Sequence, residues 1–357
     1  MLGLVMPLLG KLALYVSAFV LSLYLLPQLL LATLCRSQDL KKKYGATWAL
    51  VTGGSSGIGK SLAWKLAGQG LNVAVVALDD QLLNDTVDEL RSAFPKCEFV
   101  KVGANLGAPG YLSAIQKATE KLPISLVFCN AGYMVTGFFN KTPLDKQMAN
   151  MECNATSAVQ ITHHFVSSMV EQKLRGCIVY TSSAAAMMPS PFTVLYAATK
   201  SFISSFAASL AAEVKHHGID VCVIHPSPVA TRFYDNQKKI DLLDFFKVNR
   251  PNIPTIRIVP FHAPLHACVF AASATIRPFL NSLAACPLRY PMQGLSVSPD
   301  ELPDVIFGSV GRTVWRDVGG TAIAFRMMMK FIDYNFLATL LSHIAHLLPD
   351  FKRHVNN

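Results

Sequence analysis

One stretch narrows the choice of fold more than any other. The apolar run Trp48–Thr52 gives way to Thr52-Gly53-Gly54-Ser55-Ser56-Gly57-Ile58-Gly59, and a helical pattern begins near Lys60. A short apolar run bounded by glycine reads as a strand buried on both faces. Glycines after it let the backbone turn tightly and approach a pyrophosphate, which rests on the N-terminal end of the next helix. Such turns also serve plain packing, so this one draws its weight from its place between a first strand and a first helix. The texture then repeats. Residues 72–78, 98–102, 125–129, 176–182 and 220–225 are further apolar runs. Helical stretches separate them, including one through Leu90, part of 143–173, and 195–217. Strands alternating with helices imply right-handed crossovers and a doubly wound parallel α/β sheet.

Tyr196 and Lys200 lie four residues apart in a helical stretch, so phenol and ammonium share one face. A neighbouring ammonium favours the phenolate and is expected to lower the tyrosine pKa, as a general acid/base requires. Ser183 stands thirteen residues earlier, at the end of a buried run, where its hydroxyl can hold a substrate oxygen. Each alone has a duller reading: a solvated helix face for the pair, and a turn residue in the small-residue run 181–186 for the serine.

The glycine loop, Asn130-Ala131-Gly132, Asn154, Ser183, Tyr196 and Lys200 follow the order of the classical short-chain dehydrogenase/reductase family. The chain resembles that family from about Trp48 to Thr231. The resemblance implies a Rossmann fold, an NAD(P)H cofactor and a set of roles. Tyr196 would exchange a proton with the substrate oxygen as hydride moves to or from the nicotinamide. Lys200 would bind the ribose hydroxyls and tune Tyr196, Ser183 would hold the substrate oxygen, and Asn154 would position a helix and a water. Gly53, Ser55, Ser56, Gly57, Ile58 and Gly59 would form the cofactor loop. Asn130, Ala131 and Gly132 would support the sheet beside the adenosine, and Asn105 takes the place of the family's usual Asp near the adenine. Pro226-Ser227-Pro228-Val229-Ala230-Thr231 is similar to the family's P-G-x-V-x-T segment, which contacts the nicotinamide amide. That implies cofactor contacts for Val229 and Thr231, with Ser227 in place of the usual glycine.

The two forms of the cofactor are distinguished in this family after the second strand. An Arg just past it marks NADP, and an Asp at its end marks NAD. Here Ala77-Leu78-Asp79-Asp80 has no Arg, and no Lys or Arg lies between Gly53 and Gly57. Asp79 would repel a 2′-phosphate and accept hydrogen bonds from a free ribose, which leans to NAD. The alternative is that both acids merely begin the next helix, where Asp is favoured anyway.

Outside this core the composition decides. The chain of 357 residues is 52% hydrophobic and only 15% charged, on the apolar side of soluble averages. Much of the excess lies at the two ends. From Leu12 to Cys35 there is no charged residue, a stretch long enough to span a bilayer core. Arg36 and Lys41-Lys42-Lys43 follow, which by the positive-inside rule puts the bulk of the chain in the cytosol. A cleaved signal peptide is one alternative, although the run is longer than a signal core. A hairpin bent at Pro27, suited to one leaflet or a lipid droplet, is another. The net charge of +10 could mean nucleic acid, but its densest run flanks the apolar segment and no basic stripe interleaved with aromatics exists elsewhere. The eight cysteines contain no C-x-x-C pair, and the pairs His163-His164 and His216-His217 lack a third ligand, so no metal is expected.

These readings divide the chain into a membrane anchor with basic flank (1–45), a Rossmann domain (46–300) whose substrate lid covers about 232–297, and a helical extension (301–357). At the start of the extension, 298–312 reads as a helix with Ser298-Pro299-Asp300-Glu301 as its N-terminal cap. Residues 319–348 read as an apolar helix interrupted by Arg326, Lys330, Asp333, His343 and His346, hence interfacial or buried in the core rather than spanning. The anchored branch that the chain resembles includes microsomal 3-ketoacyl-CoA reductases, 17β-hydroxysteroid dehydrogenases and 3-ketodihydrosphingosine reductases. It implies a ketone–alcohol interconversion on a hydrophobic, lipid-type substrate at the endoplasmic reticulum membrane, by a homodimer or a tetramer, the family's common assemblies. Phe233, Tyr234, Leu242, Leu243, Phe245 and Phe246 of the lid would line an apolar channel, with Lys238, Lys239, Lys247 and Arg250 meeting an anionic head. Equally, those aromatics would close the core and the lysines would be solvated. An idle lipid-binding or scaffold protein on the same fold is the competing class. Intact Ser183, Tyr196 and Lys200 count against it.

Overall fold

A computed structural model of the chain describes residues 2–234, 297–347 and Phe351. The lid residues beyond Tyr234 named above therefore lie outside the described residues.

The strands are β1 (Trp48–Thr52), β2 (Asn72–Ala77), β3 (Phe99–Gly103), β4 (Ile124–Cys129), β5 (Gly176–Thr181), β6 (Ile219–Pro226) and β7 (Trp315–Val318). They form a parallel sheet in the order β3-β2-β1-β4-β5-β6-β7. The order reverses between β1 and β4, which opens a crevice at the carboxyl ends of the strands. Helices α3 (Gly57–Gly68) and α4 (Gln81–Ala93), with α9 (Leu302–Ser309), cover one face. Helices α5 (Tyr111–Thr119), α7 (Ser157–Glu171) and α8 (Val194–Val214) cover the other. The two-residue period of a strand explains the division. Ala49 and Val51 join Leu62, Leu66, Leu90 and Phe307, whereas Leu50 joins Ile115, Phe165 and Ile203. Every residue of β1 is buried, as a strand covered on both faces requires.

Three features differ from the sequence-based expectation. The sheet takes its seventh strand from beyond residue 300, and α9 packs on α3, so the fold runs on past the expected domain boundary. The stretch expected as one helix over 319–348 is two, α10 (Gly320–Met328) and α11 (Tyr334–Ile344). Asp333 is the reason: its carboxylate accepts from the Phe336 N–H at 2.9 Å and starts α11 afresh. The helix expected from 298 starts at Leu302, with Glu301, the last residue of the expected cap segment, at its N-cap.

At the other end, α1 (Leu2–Leu34) is a single helix that runs through Pro27 without the hairpin bend. Residues 10–34 of it are apolar enough to cross a membrane, with a mean hydropathy of 1.9. The short helix α2 (Leu40–Tyr44) follows, with Leu40 fully buried.

Candidate active site

The glycine loop is shaped by what surrounds it. Gly53 and Gly57 adopt φ of +65° and +51°, where a side chain is strained. A Cβ on Gly59 would collide with the Gly53 carbonyl oxygen, and one on Gly53 would stand 2.9 Å from the Ala131 Cα. Backbone therefore packs on backbone, and the first turn of α3 opens toward the crevice. Ser56 takes the N-cap position without a side-chain cap bond. The Ser55 carbonyl accepts from Thr86 at 2.9 Å, and Ile58 packs against the core. Gly57 also brings a second segment close, since its Cβ would meet the Thr231 methyl at 3.0 Å. The glycine loop and the segment 226–231 thus share one mouth.

Thr52 and Asn130 knit the neighbouring strand ends together. The Thr52 hydroxyl accepts from the N–H groups of Asn130 and Ala131, both at 3.0 Å. The Asn130 amide donates to the Thr52 carbonyl at 3.2 Å and accepts from the Thr181 hydroxyl at 3.0 Å. Sequence reasoning did not single out the part Thr52 plays here, because a threonine at a strand end has no distinguishing pattern.

Helix α6 (Leu144–Met151) passes into α7 through a single π turn, Glu152–Thr156. Such turns recur at functional sites, because one extra residue re-aims a side chain. Here that side chain is Asn154, which is buried: its Oδ1 accepts from the Tyr133 N–H at 2.9 Å and its Nδ2 donates to the Tyr133 carbonyl at 2.8 Å. Gly132 lies between Asn154 and Lys200, since a Cβ on it would meet the Asn154 Oδ1 at 3.1 Å and the Lys200 Nζ at 3.2 Å. Below them Asn154, Lys200, Thr52 and Thr181 border a cavity of about 10 Å³. That is close to the space of one water.

Tyr196, half-buried on the first turns of α8, faces Ser183 at the end of β5, whose hydroxyl favours the phenolate. Lys200 is buried, donates to the Thr181 carbonyl at 2.8 Å and stands 5.7 Å from the Tyr196 ring centre. Burial lowers its pKa to about 8 despite the nearby Cys153. Burial also raises the Tyr196 pKa, and the bond from Ser183 offsets only part of that. The expectation that Lys200 would pull Tyr196 toward neutrality is thus corrected. The helical spacing does bring the groups together, but burial is the dominant influence on the phenol and favours its protonated form.

Other sequence-derived candidates separate. Asp80 caps α4, its carboxylate accepting from the Leu83 N–H at 3.0 Å, as the helix-start alternative holds for that residue. Asp79 does not cap. It lies over the end of β3, 3.3 Å from Lys101, a cation that sequence reasoning passed over. Asn105 turns its side chain back to the Gly107 N–H at 3.0 Å. Val229 is buried and bridges to Val297. The Ser227 hydroxyl accepts from the Ala322 N–H at 3.0 Å and so ties the first turn of α10 to this loop.

Over residues 47–241 the chain matches the short chain dehydrogenase family. It belongs to that family. Curated relatives are similar in sequence. A very-long-chain 3-oxoacyl-CoA reductase-like protein of Arabidopsis thaliana is 31% identical over 209 residues, 57% of this chain and 66% of the relative. The 17-beta-hydroxysteroid dehydrogenase type 3 of Mus musculus is 31% identical over 204 residues, 56% of this chain and 66% of its own length. The match therefore spans less than two thirds of these relatives. In fold the chain is similar to a solved 7beta-hydroxysteroid dehydrogenase, at a TM-score of 0.63 and 22% identity, over 85% of this chain and 99% of that one. A family member of Burkholderia phymatum solved with NAD has a TM-score of 0.58 at 20% identity, over 80% of this chain and 92% of that one.

The residues present fit a nicotinamide dinucleotide. The loop's glycines pack directly on the backbone of Gly53 and Ala131, which keeps the turn tight, and helix α3 offers the N–H groups of its first turn to a pyrophosphate. Lys200 is a buried cation with two protons beyond the one given to Thr181.

Proposed function

We propose that the chain is an NAD(P)(H)-dependent oxidoreductase interconverting a ketone and a secondary alcohol on a hydrophobic, lipid-type substrate at a membrane. The observation that carries this reading is a continuous chain of contacts beside the glycine loop: Ser183 bonds Tyr196, the Tyr196 ring stands 5.7 Å from Lys200, and Lys200 and Asn154 border one small cavity. The loop Gly53–Gly59, Asn130–Gly132, Lys200 and Thr231 would hold the nicotinamide cofactor, which supplies or accepts hydride. Tyr196, kept as a phenol by burial, delivers its proton to the carbonyl oxygen in the reducing direction. Ser183 donates a hydrogen bond to that oxygen and fixes its place. Lys200, held by the Thr181 carbonyl, stabilises the phenolate left behind, and the small cavity bordered by Asn154 provides the route by which a proton returns.

The names of the relatives favour 3-oxoacyl-CoA or steroid substrates, with a sphingoid ketone as a further member of the class. Membrane placement, at the endoplasmic reticulum with the catalytic domain cytosolic, is supported by α1 and its basic flank. The test is turnover of the full chain with NADH or NADPH on 3-ketoacyl thioesters of increasing length and on ketosteroids. Efficiency should rise about fourfold per methylene until the apolar site fills, from about 0.8 kcal/mol per buried group. Absence of turnover across the panel with either cofactor overturns the enzymatic reading, and a flat length profile overturns the lipid part alone.

A further inference from the structure

We propose that α1 meets the membrane as a helix docked on the catalytic domain, entering one lipid leaflet and leaving its N-terminus on the catalytic side. This rests on the membrane placement in the reading above and on none of its chemistry, and its test needs no turnover.

The docking is polar and specific. Val20, Leu21, Tyr24, Gln28 and Leu31 are half-buried at helical spacing, so one side of α1 faces the protein. The Tyr24 hydroxyl donates to the Asp317 carboxylate at 2.8 Å, and Arg316 donates to the Gln28 side-chain oxygen at 2.8 Å. Both partners belong to β7, the edge of the sheet. Asp317 is further gripped by Arg326 through two bonds of 3.1 Å. Nor does a loose tether follow the helix. Gln38 donates to the Phe307 and Val310 carbonyls at 2.7 and 3.0 Å, and Arg312 donates to the Arg36 carbonyl at 3.0 Å.

Depth follows from these contacts. Arg316, Asp317 and Arg326 cannot be drawn into hydrocarbon at tolerable cost, so the lipid core can receive only what precedes Tyr24. The uncharged length left, Leu12 to Leu23, is about 18 Å at 1.5 Å per residue. A bilayer core is about 30 Å thick, so this reaches little further than one leaflet. Spanning would require Lys11 to sit near the middle of the membrane, beyond the reach of its own side chain. Meanwhile the side of α1 away from the protein is apolar and exposed along its length, through Phe19, Leu23, Leu26, Leu30 and Leu34. A helix with one docked polar side and one apolar side lies in the interface. Exposed Arg36 and Lys42 at its end offer charge to anionic headgroups. Phe331, Tyr334 and Phe336, also exposed, begin five residues past Arg326 and add a second apolar contact.

The experiment translates the full chain with a short N-terminal epitope tag in the presence of microsomes. Protease is added to the intact vesicles, which are then floated. The expected result is a tag cleaved as completely as in detergent, with the protein floating with the vesicles. A protected tag means that α1 crosses, and overturns the proposal. A cleaved tag on protein that does not float means that the apolar side is covered by a second copy instead of lipid, and overturns it as well. A triple variant, Lys11→Leu, Tyr24→Phe and Gln28→Leu, removes the charge and both polar holds. It should convert the tag from mostly cleaved to mostly protected. If the tag stays as accessible as before, docking does not set the depth and the proposal falls.

Discussion

The two ends of the sheet are built by opposite means. Around β1, β2 and β4 the cofactor cradle is made of backbone: glycines with no room for a Cβ, strand-end N–H groups, and one threonine hydroxyl shared by two of them. Around β6 and β7 the structure is held by buried charge. His225 is fully buried, meets Ser204 at 2.8 Å and stands 3.4 Å from Asp317, which also holds Arg326 and Tyr24. The cradle draws on two segments, 52–59 and 130–132, and in the proposed reading serves the reaction. The edge gathers residues from four distant segments and serves cohesion, and removing a member there leaves an uncompensated charge. The contrast implies that changes in the cradle cost turnover at little cost in stability, and that changes at the edge do the reverse.

Tyr196→Phe should give the largest effect. It removes the proton donor and keeps the ring, so kcat should fall by about 10²- to 10⁴-fold, with melting temperature and cofactor affinity nearly unchanged. Retention of most of the wild-type rate would mean that another group supplies the proton, and the cradle would lose its catalytic half of the comparison.

Asp317→Ala is the counterpart at the edge. Arg326 would lose both its bonds and Tyr24 its acceptor in a site where Asp317 is only 4% exposed. Urea unfolding should show a loss of about 3–5 kcal/mol. Asp317→Asn, which keeps an acceptor, should lose less. A stable Asp317→Ala protein with collapsed turnover would break the division of labour.

How much of this was legible in sequence follows the same line. Strands β1 to β6 announce themselves as apolar runs, and Tyr196 and Lys200 share a helix face because four residues make about one turn. Strand β7 did not announce itself. It is four residues long and half of it is Arg316-Asp317, so it forms no apolar run, and its charges are satisfied by Gln28, Tyr24 and Arg326. Those partners come from as far as 293 residues away in sequence. Ser227 is a smaller case. As a departure from the family's glycine it reads as a threat to the loop, whereas its hydroxyl anchors α10. Only contact shows a replacement gaining a partner.

The pH dependence separates the two ends again. Lys200 in the folded chain titrates near 8, below its ordinary 10.5, so reduction that relies on its charge should fall as pH rises through about 8. Over the same rise the folded state, which prefers the neutral amine, should gain stability between about 8 and 10.5. His225 is held down to about 4 from 6.5, chiefly by burial, so the unfolded chain binds more protons in that window. Stability should therefore fall by about 3 kcal/mol as pH drops from 6.5 through about 4. His225→Gln should flatten that acid limb and leave the alkaline fall in activity in place. Movement of both limbs together would show that the edge and the active site titrate as one unit.

The smallest effect concerns cofactor choice, where the cradle does use charge. Asp79 lies over the end of β3, a place from which an acid can meet an adenosine ribose. Its side chain is 69% exposed and its partner Lys101 is 3.3 Å away, so the pair adds well under about 1 kcal/mol to stability. Its effect on a ligand is larger than that figure, because a 2′-phosphate would bring two negative charges beside the carboxylate. Lys101 tempers the repulsion, which is why a lone reading of Asp79 toward NAD is incomplete. In Asp79→Ala the repulsion goes and Lys101, still touching Asn84 at 2.9 Å, is left with no acid to answer it. The ratio of kcat/KM for NADPH over NADH should then rise about tenfold, with unchanged melting temperature, since charge-assisted contacts to phosphate are roughly twice as strong as neutral ones. Lys101→Gln should move the ratio the other way by a smaller factor. Unchanged ratios in both variants would mean that the pair faces solvent, and that the cradle, like its glycines, reads the cofactor through backbone alone.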